Sequence, residues 1–268
     1  MGVKRVVVKS ELERVLDFKI DSIEPTLNGV VDTTYILNRD SILKIYEEFD
    51  RVEIESELKL LELIGELKTP KPKSDIFYIQ NRVSLIFSKI EGVSLKRVEN
   101  HHIKQIAIFL KKFHKITKNR DRELNLFSKE QLKEMVLRAD REEFYKLFDE
   151  IKDIDYSFDG VIHGDLFLDN AKFKNGVLSG VFDFSQSSRG SFKFDLAVVA
   201  LSWCFDKNSL NRERLRVLID SYDDYLTLKK ISIYIKYALL FYAVNRYLTG
   251  AKDYRECLIK FKNLKKVL

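Results

Sequence analysis

Between residues 160 and 184 two strand patterns interrupt a long helical run, and the polar residues on them come in a fixed order. Gly160-Val-Ile-His reads as a short strand that stops at a turn on Gly164. Val177-Leu-Ser-Gly-Val-Phe-Asp-Phe184 reads as a later strand, entered through a Lys174-Asn-Gly176 hairpin turn. Asp165 then lies on the loop at the first strand's end, with Asn170 on the same loop. Asp183 follows Asn170 by 13 residues, and a hairpin over that span brings it back beside the amide. Singly, each of these residues reads as a cap on a strand or turn. Together, a buried-looking His163, a carboxylate, an amide and a second carboxylate suit phosphoryl transfer from a metal-bound nucleotide. One carboxylate can orient and deprotonate an attacking hydroxyl, and an Asn and a second Asp give Mg²⁺ hard oxygen ligands. Asp169 reads as a solvated neighbour of Asn170.

The first third of the chain alternates like a sheet. Residues 22–45 read as a meander with turns centred on Gly29 and at Asn38-Arg-Asp40, after a short helix at 10–18 opened by Ser10 as its cap. Residues 51–67 carry Ile54, Leu58, Leu61 and Ile64 at helical spacing, and Phe77-Tyr-Ile79 pairs with Val83–Ile90 through a Gln80-Asn-Arg82 turn. From Ser94 onward the period becomes 3.6, over 102–116, 129–137, 141–152, 194–206, 212–226 and 229–248. The expected architecture is α+β: a small, mostly antiparallel β lobe over residues 1–91 and a larger, mostly helical lobe over 92–268. This is a bilobed, protein-kinase-like arrangement with a nucleotide cleft between the lobes.

With 45% apolar and 33% charged residues the chain is an ordinary globular protein and not a disordered one. The net charge of +6 is the difference of 47 basic and 41 acidic residues that are intermixed. No basic motif interleaved with aromatics suggests nucleic-acid binding. Two cysteines, Cys204 and Cys257, give neither a disulfide framework nor a metal-ligand spacing. The N-terminal residues have no apolar run of signal-peptide length, and the longest apolar runs, 196–203 and 237–244, are too short to span a bilayer. No membrane partner is expected, and the expected location is cytoplasmic. Oligomeric state is not legible.

The segment His163-Gly-Asp-Leu-Phe-Leu-Asp-Asn170, followed by Val181-Phe-Asp-Phe184, resembles the catalytic loop of the aminoglycoside phosphotransferase and choline kinase superfamily. That family carries His-Gly-Asp-x-x-x-x-Asn and then an Ile-Asp-Phe-like strand. The resemblance implies Asp165 as catalytic base, Asn170 and Asp183 as Mg²⁺ ligands, His163 as loop support and Asp195 as a brace for the loop. ATP is then the co-substrate and a small-molecule alcohol the acceptor. It further implies that Lys44, on the strand Leu43-Lys-Ile-Tyr46, contacts the α- and β-phosphates and is held by a helix Glu. Glu57 is the first choice, with Glu53 as fallback. Thr33 and Thr34, in Gly29-Val-Val-Asp-Thr-Thr-Tyr35, stand where phosphate donors are expected. The backbone from Ser88 to Ile90 stands where adenine is bound.

Within that superfamily the chain is most similar to the homoserine kinase branch. The similarity lies in the Gly29–Leu37 stretch, the Leu166-Phe167 pair, Phe194-Asp-Leu-Ala-Val-Val-Ala-Leu-Ser-Trp-Cys204 and Ala238-Leu-Leu-Phe-Tyr-Ala-Val-Asn-Arg-Tyr247. It implies L-homoserine as acceptor, in threonine biosynthesis, with Arg246 a candidate for its carboxylate. Two departures stand out: Gly164 where the branch usually has Ala, and Leu201-Ser202 where it has Asn-Asp. Choline, ethanolamine or an aminoglycoside is the alternative acceptor class, for which Tyr237, Phe241 and Tyr242 offer aromatic lining. A catalytically silent nucleotide-binding regulator is the non-enzyme alternative.

Overall fold

The computed structural model describes residues 4–16, 19–26, 31–223 and 226–264. The turn expected around Gly29 lies outside them. The backbone divides into two compact units. One takes residues up to 93 with 172–175 and 179–185, and the other takes 94–171, 176–178 and 186–268.

The first unit holds helix α1 (Lys9–Val15), strands β1 (Ile23–Pro25), β2 (Thr33–Leu37) and β3 (Ser41–Ile45), helix α2 (Arg51–Leu63), and strands β4 (Phe77–Ile79) and β5 (Arg82–Ser88). The strands form one antiparallel sheet in the order β1-β2-β3-β5-β4. Two of its hairpins turn on left-handed pairs, Asn38-Arg39 and Gln80-Asn81, whose φ of 49° to 67° matches the twist of the flanking strands. Ser10 does not cap α1; the helix starts one residue earlier, from Val8. α2 begins with a capping box in which Asp50 accepts from the Glu53 N–H and Glu53 accepts from the Asp50 N–H.

Register sorts the sheet's two faces. Tyr35, Leu37, Leu43, Ile45, Ile79 and Ile86 pack with Val7, Leu12 and Ile20 into the core on one side. On the other, Thr34, Lys44 and Leu85 stand in a row across three strands, beside a second row of Ile36, Ile42 and Phe87. The buried stripe of α2 runs Ile54, Glu57, Leu60 and Leu61. Glu57 therefore occupies the stripe where the apolar spacing predicted Leu58. Such a buried acid needs partners.

The second unit is helical: α3 (Asn100–Thr117), α4 (Lys129–Ala139), α5 (Glu142–Asp149), α6 (Phe192–Trp203), α7 (Arg212–Tyr222), α8 (Leu228–Leu248) and α9 (Tyr254–Leu264). Ser128, Asn211 and Thr227 cap α4, α7 and α8 by accepting from the N–H three residues on. The two longest apolar runs are central helices. α6 and the second half of α8 are buried nearly all round, and they pack on each other. Among the described residues no helix is long and apolar enough to cross a membrane.

Strand β6 (Gly160–Ile162) pairs with β9 (Ser188–Gly190), and a 3-10 turn at Leu168–Asn170 leads into the hairpin of β7 (Ala171–Lys174) and β8 (Val177–Val181). The helix expected over 194–206 ends at Trp203. A hairpin of β10 (Phe205–Asp206) and β11 (Ser209–Leu210) follows, turned at the left-handed Lys207.

Candidate active site

Lys44 projects from β3 and is almost fully buried. Its Nζ donates to Asp183 Oδ1 at 2.8 Å and Ser185 Oγ at 3.4 Å, and pairs with Asp32 Oδ2 at 3.2 Å. It also lies 4.6 Å from the centroid of the Tyr46 ring. Burial alone would pull its pKa down. The surrounding carboxylates, Asp183 foremost and then Asp32 and Glu57, outweigh that and hold the amine well above the ordinary lysine value. Glu57 thus reaches Lys44 through its field, and its Oε2 accepts from the Tyr46 hydroxyl at 2.9 Å. Glu53 is engaged in the helix cap and Glu55 pairs with Arg51 at 2.7 Å.

The two threonines part company. Thr34 lies opposite Lys44 in register and shares its face. Thr33 lies opposite Ile45, on the core side, where its hydroxyl donates to Glu47 Oε1 at 2.8 Å and accepts from the Lys4 N–H at 3.1 Å. Strand alternation sends it away from Lys44. Ser88 is also spoken for: its N–H donates to Lys71 O and its Oγ accepts from the Lys71 N–H, both at 2.8 Å. Ile90, past the end of β5, packs against Gly180, where a Cβ would come within 2.3 Å of its Cδ1.

In the second unit the loop 163–170 is fastened at nearly every residue. The fully buried Asp195 on α6 accepts from the His163 N–H at 2.8 Å and the Gly164 N–H at 2.7 Å. His114 Nε2 on α3 donates to the same carboxylate at 2.9 Å, while its Nδ1 meets the Tyr222 hydroxyl at 2.8 Å. His163 Nδ1 accepts from the Asp165 N–H at 3.2 Å, so that nitrogen carries no proton. Ser202 Oγ accepts from the Leu168 N–H at 3.1 Å, and Trp203 Nε1 donates to Leu166 O at 3.0 Å. Ser202, one of the two departures from the homoserine kinase pattern, is thus a support for this loop.

The Asp165 carboxylate is held by Asn170 and faced by Tyr242. Asn170 Nδ2 donates to its Oδ2 at 3.0 Å and to its carbonyl at 2.7 Å. The Tyr242 hydroxyl on α8 donates to Gly164 O and lies 3.4 Å from Asp165 Oδ1. Burial, and then the negative charge of Asp165, push the Tyr242 phenol well above its ordinary pKa, so it stays a donor. Because Asn170 commits its amide nitrogen to Asp165, its Oδ1 is the atom left to meet a metal. Asp183, in the first unit, carries a carboxylate that is 39% exposed. Carboxylate and amide oxygens of this kind are hard donors of the type that Mg²⁺ takes.

Gly164 has a φ of +79°, and a Cβ there would fall 2.1 Å from Cε2 of the buried Phe127. Phe127 is wedged between Phe194 and Phe241 at 5.0 and 5.2 Å and cannot swing away. The Gly is therefore specific to this packing. Gly164→Ala is expected to cost about 2–4 kcal/mol, from the left-handed backbone and the overpacked ring. Differential scanning fluorimetry should show the loss, and Gly164→Ala with Phe127→Leu should recover part of it, since the two sites are in contact.

Arg246, one turn beyond Tyr242 on α8, pairs with Asp253 Oδ2 at 3.1 Å and lies 5.8 Å from the centroid of the Phe167 ring. Tyr237 and Phe241 do not line an open surface. The Tyr237 hydroxyl donates to Phe127 O at 2.9 Å, and both rings sit in the aromatic cluster around Phe194. Sequence reasoning did not find Asp32, Tyr46, His114 or Ser202 as members of these networks. For His114 and Ser202 the signal was a polar residue inside an apolar helical pattern.

The sequence matches the phosphotransferase enzyme family over residues 22–227. Among curated proteins it is similar to a homoserine kinase of Janthinobacterium sp. (strain Marseille), 25% identical over 73% of this chain and 69% of that one. Other homoserine kinases align more closely but over as little as 20% of their own length. Among solved structures, the GDP complex of wild-type aminoglycoside 2'-phosphotransferase-IIIa superposes with a TM-score of 0.69, at 16% identity, over 96% of this chain and 97% of that one. Choline kinase LicA from Streptococcus pneumoniae does so with a TM-score of 0.68, at 17% identity, over the same shares. The fold is the protein-kinase-like one that the sequence predicted, and the chain belongs to the phosphotransferase enzyme family.

Proposed function

We propose that the chain transfers the γ-phosphoryl group of ATP to the hydroxyl of a small molecule, with L-homoserine as the favoured acceptor. The observation that carries the reaction is the Asp165 carboxylate gripped by Asn170 on one side and faced by Tyr242 on the other. A base held so is oriented before substrate arrives, which is where most of the catalytic gain in phosphoryl transfer lies. The acceptor oxygen bonds to the γ-phosphorus, the bond from that phosphorus to the leaving ADP oxygen breaks, and the hydroxyl proton passes to Asp165. Lys44 holds the α- and β-phosphates, and Thr34 shares its strand face. Ile90 is the remaining candidate for a backbone contact to adenine. Bound Mg²⁺, on oxygens of Asn170 and Asp183, would neutralise phosphate charge.

Two observations favour homoserine over a cationic acceptor. The curated relatives named above are homoserine kinases. Arg246 puts a cation in the neighbourhood of Phe167, and Tyr237 and Phe241 are spent in the core and cannot form an aromatic cage. The test is ADP release from Mg-ATP with L-homoserine, choline, ethanolamine and an aminoglycoside panel, with Asp165→Ala as control. Homoserine-dependent release that the control loses is the expected result. Release only with a cationic acceptor overturns the acceptor and keeps the reaction. Nucleotide binding with no release for any acceptor leaves the silent regulator.

A further inference from the structure

We propose that Arg246 and Asp253 together form a receptor for a zwitterionic acceptor, Arg246 taking the carboxylate and Asp253 the neighbouring ammonium. The proposal rests on the phosphotransfer reading above and adds the charge pattern that the acceptor must carry. The pair stands beside the candidate base. The Tyr242 hydroxyl reaches Asp165, the Phe167 ring packs edge-on against Tyr242 at 4.8 Å, and Arg246 lies over that ring. The short turn from α8 to α9 presents Asp253, and its Ala251 N–H donates back to Arg246 O at 2.8 Å. Arg246 Nη1 reaches both Asp253 at 3.1 Å and the buried Cys257 sulfur at 3.4 Å. The guanidinium has five donors, so most of its fork is left for a carboxylate.

Both side chains meet water, Arg246 at 28% and Asp253 at 51% exposure, so a solute can reach them. The carboxylate and ammonium of an α-amino acid sit on one carbon, at a spacing close to that of the Arg–Asp pair itself. Laid alongside, each charge meets its opposite, and the pair need not be broken. A lone cation meets Arg246 as a repulsive neighbour, and a lone carboxylate meets Asp253 the same way. Discrimination thus comes from repulsion as much as from attraction. An exposed ion pair that only closes the helix turn would be worth about 0–1 kcal/mol and would be blind to the acceptor.

The experiment compares wild type, Arg246→Met and Asp253→Asn on three acceptors with similar chains: L-homoserine, 4-hydroxybutyrate and 3-amino-1-propanol. Asp253→Asn is expected to raise the KM for homoserine about tenfold or more and to leave that for 4-hydroxybutyrate unchanged or lower. Arg246→Met should spare 3-amino-1-propanol in the same manner. A KM change equal for all three acceptors, or none, overturns the receptor while leaving phosphotransfer intact. Calorimetric binding of L-homoserine in the presence of a non-hydrolysable ATP analogue separates the two readings. Binding weakened by Asp253→Asn but with no ADP release from ATP keeps the receptor and removes the kinase. No binding to wild type removes the receptor.

Discussion

Asp165→Asn is expected to lower kcat by about 10²- to 10⁴-fold, the usual worth of a positioned general base, while the fold and nucleotide affinity are kept. The new amide fits the existing bonds. Its oxygen can accept from Asn170 Nδ2 in place of Oδ2, and its nitrogen can face the Tyr242 oxygen, whose own proton goes to Gly164 O. No donor is left opposed to a donor, and the backbone tether from Asp165 N–H to His163 is untouched. The lost property is the capacity to take a proton from the acceptor. Single-turnover phosphate transfer should show the loss, with ATP-analogue binding and the melting midpoint near wild type. A variant that turns over normally would remove Asp165 from the chemistry, and one that melts early would show that its charge serves the fold.

What could be read from the chain follows from how local each signal is. The turn at Asn38-Arg39 and the strand around Lys44 rest on alternation and on left-handed residues a few positions apart, and the structure has them. The segment from His163 to Asn170 was legible because its members are close in sequence. Its supports were not: Asp195, His114 and Tyr242 come from three helices, and the two hydrogen bonds from His114 and Tyr242 span 81 and 77 residues. Asp195 was placed by resemblance alone. Thr33 and Thr34 are chemically identical neighbours, and only the register of β2 on β3 shows which one shares a face with Lys44. Gly164 and Phe127 illustrate the same limit from the packing side. No local pattern says that a ring 37 positions earlier fills the space where a Cβ would go. Glu57 is the acid that the resemblance puts first, but its burial follows from the helix stripe running through position 57 and not, as the apolar spacing predicts, through Leu58.

Lys44→Met should cost about 10²- to 10³-fold in kcat/KM for ATP, in the range found when one preorganised donor to developing charge is removed. Methionine keeps the length and apolar stem and deletes only the cation. Asp183 and Asp32 would then face each other's field without the charge that now lies 2.8 and 3.2 Å from them. Breaking a buried pair costs about 3–5 kcal/mol; Asp183 is 39% exposed and can recover water, whereas Asp32, 8% exposed, cannot, so a loss within that range is expected. Lys44→Arg should not restore activity, because a planar fork cannot replace a point charge shared among Asp183, Asp32 and Ser185. The sign of the pH effect follows from the raised pKa. The ammonium's contribution to stability is fully present below the ordinary lysine pKa and fades only as pH climbs through the raised, folded value. Lys44 therefore stays charged through the neutral and mildly alkaline range, and an alkaline fall in wild-type rate below pH 9 would have to come from another group. A Lys44→Met enzyme with unchanged KM for ATP and unchanged kcat would show that the ammonium serves only to neutralise the acids around it.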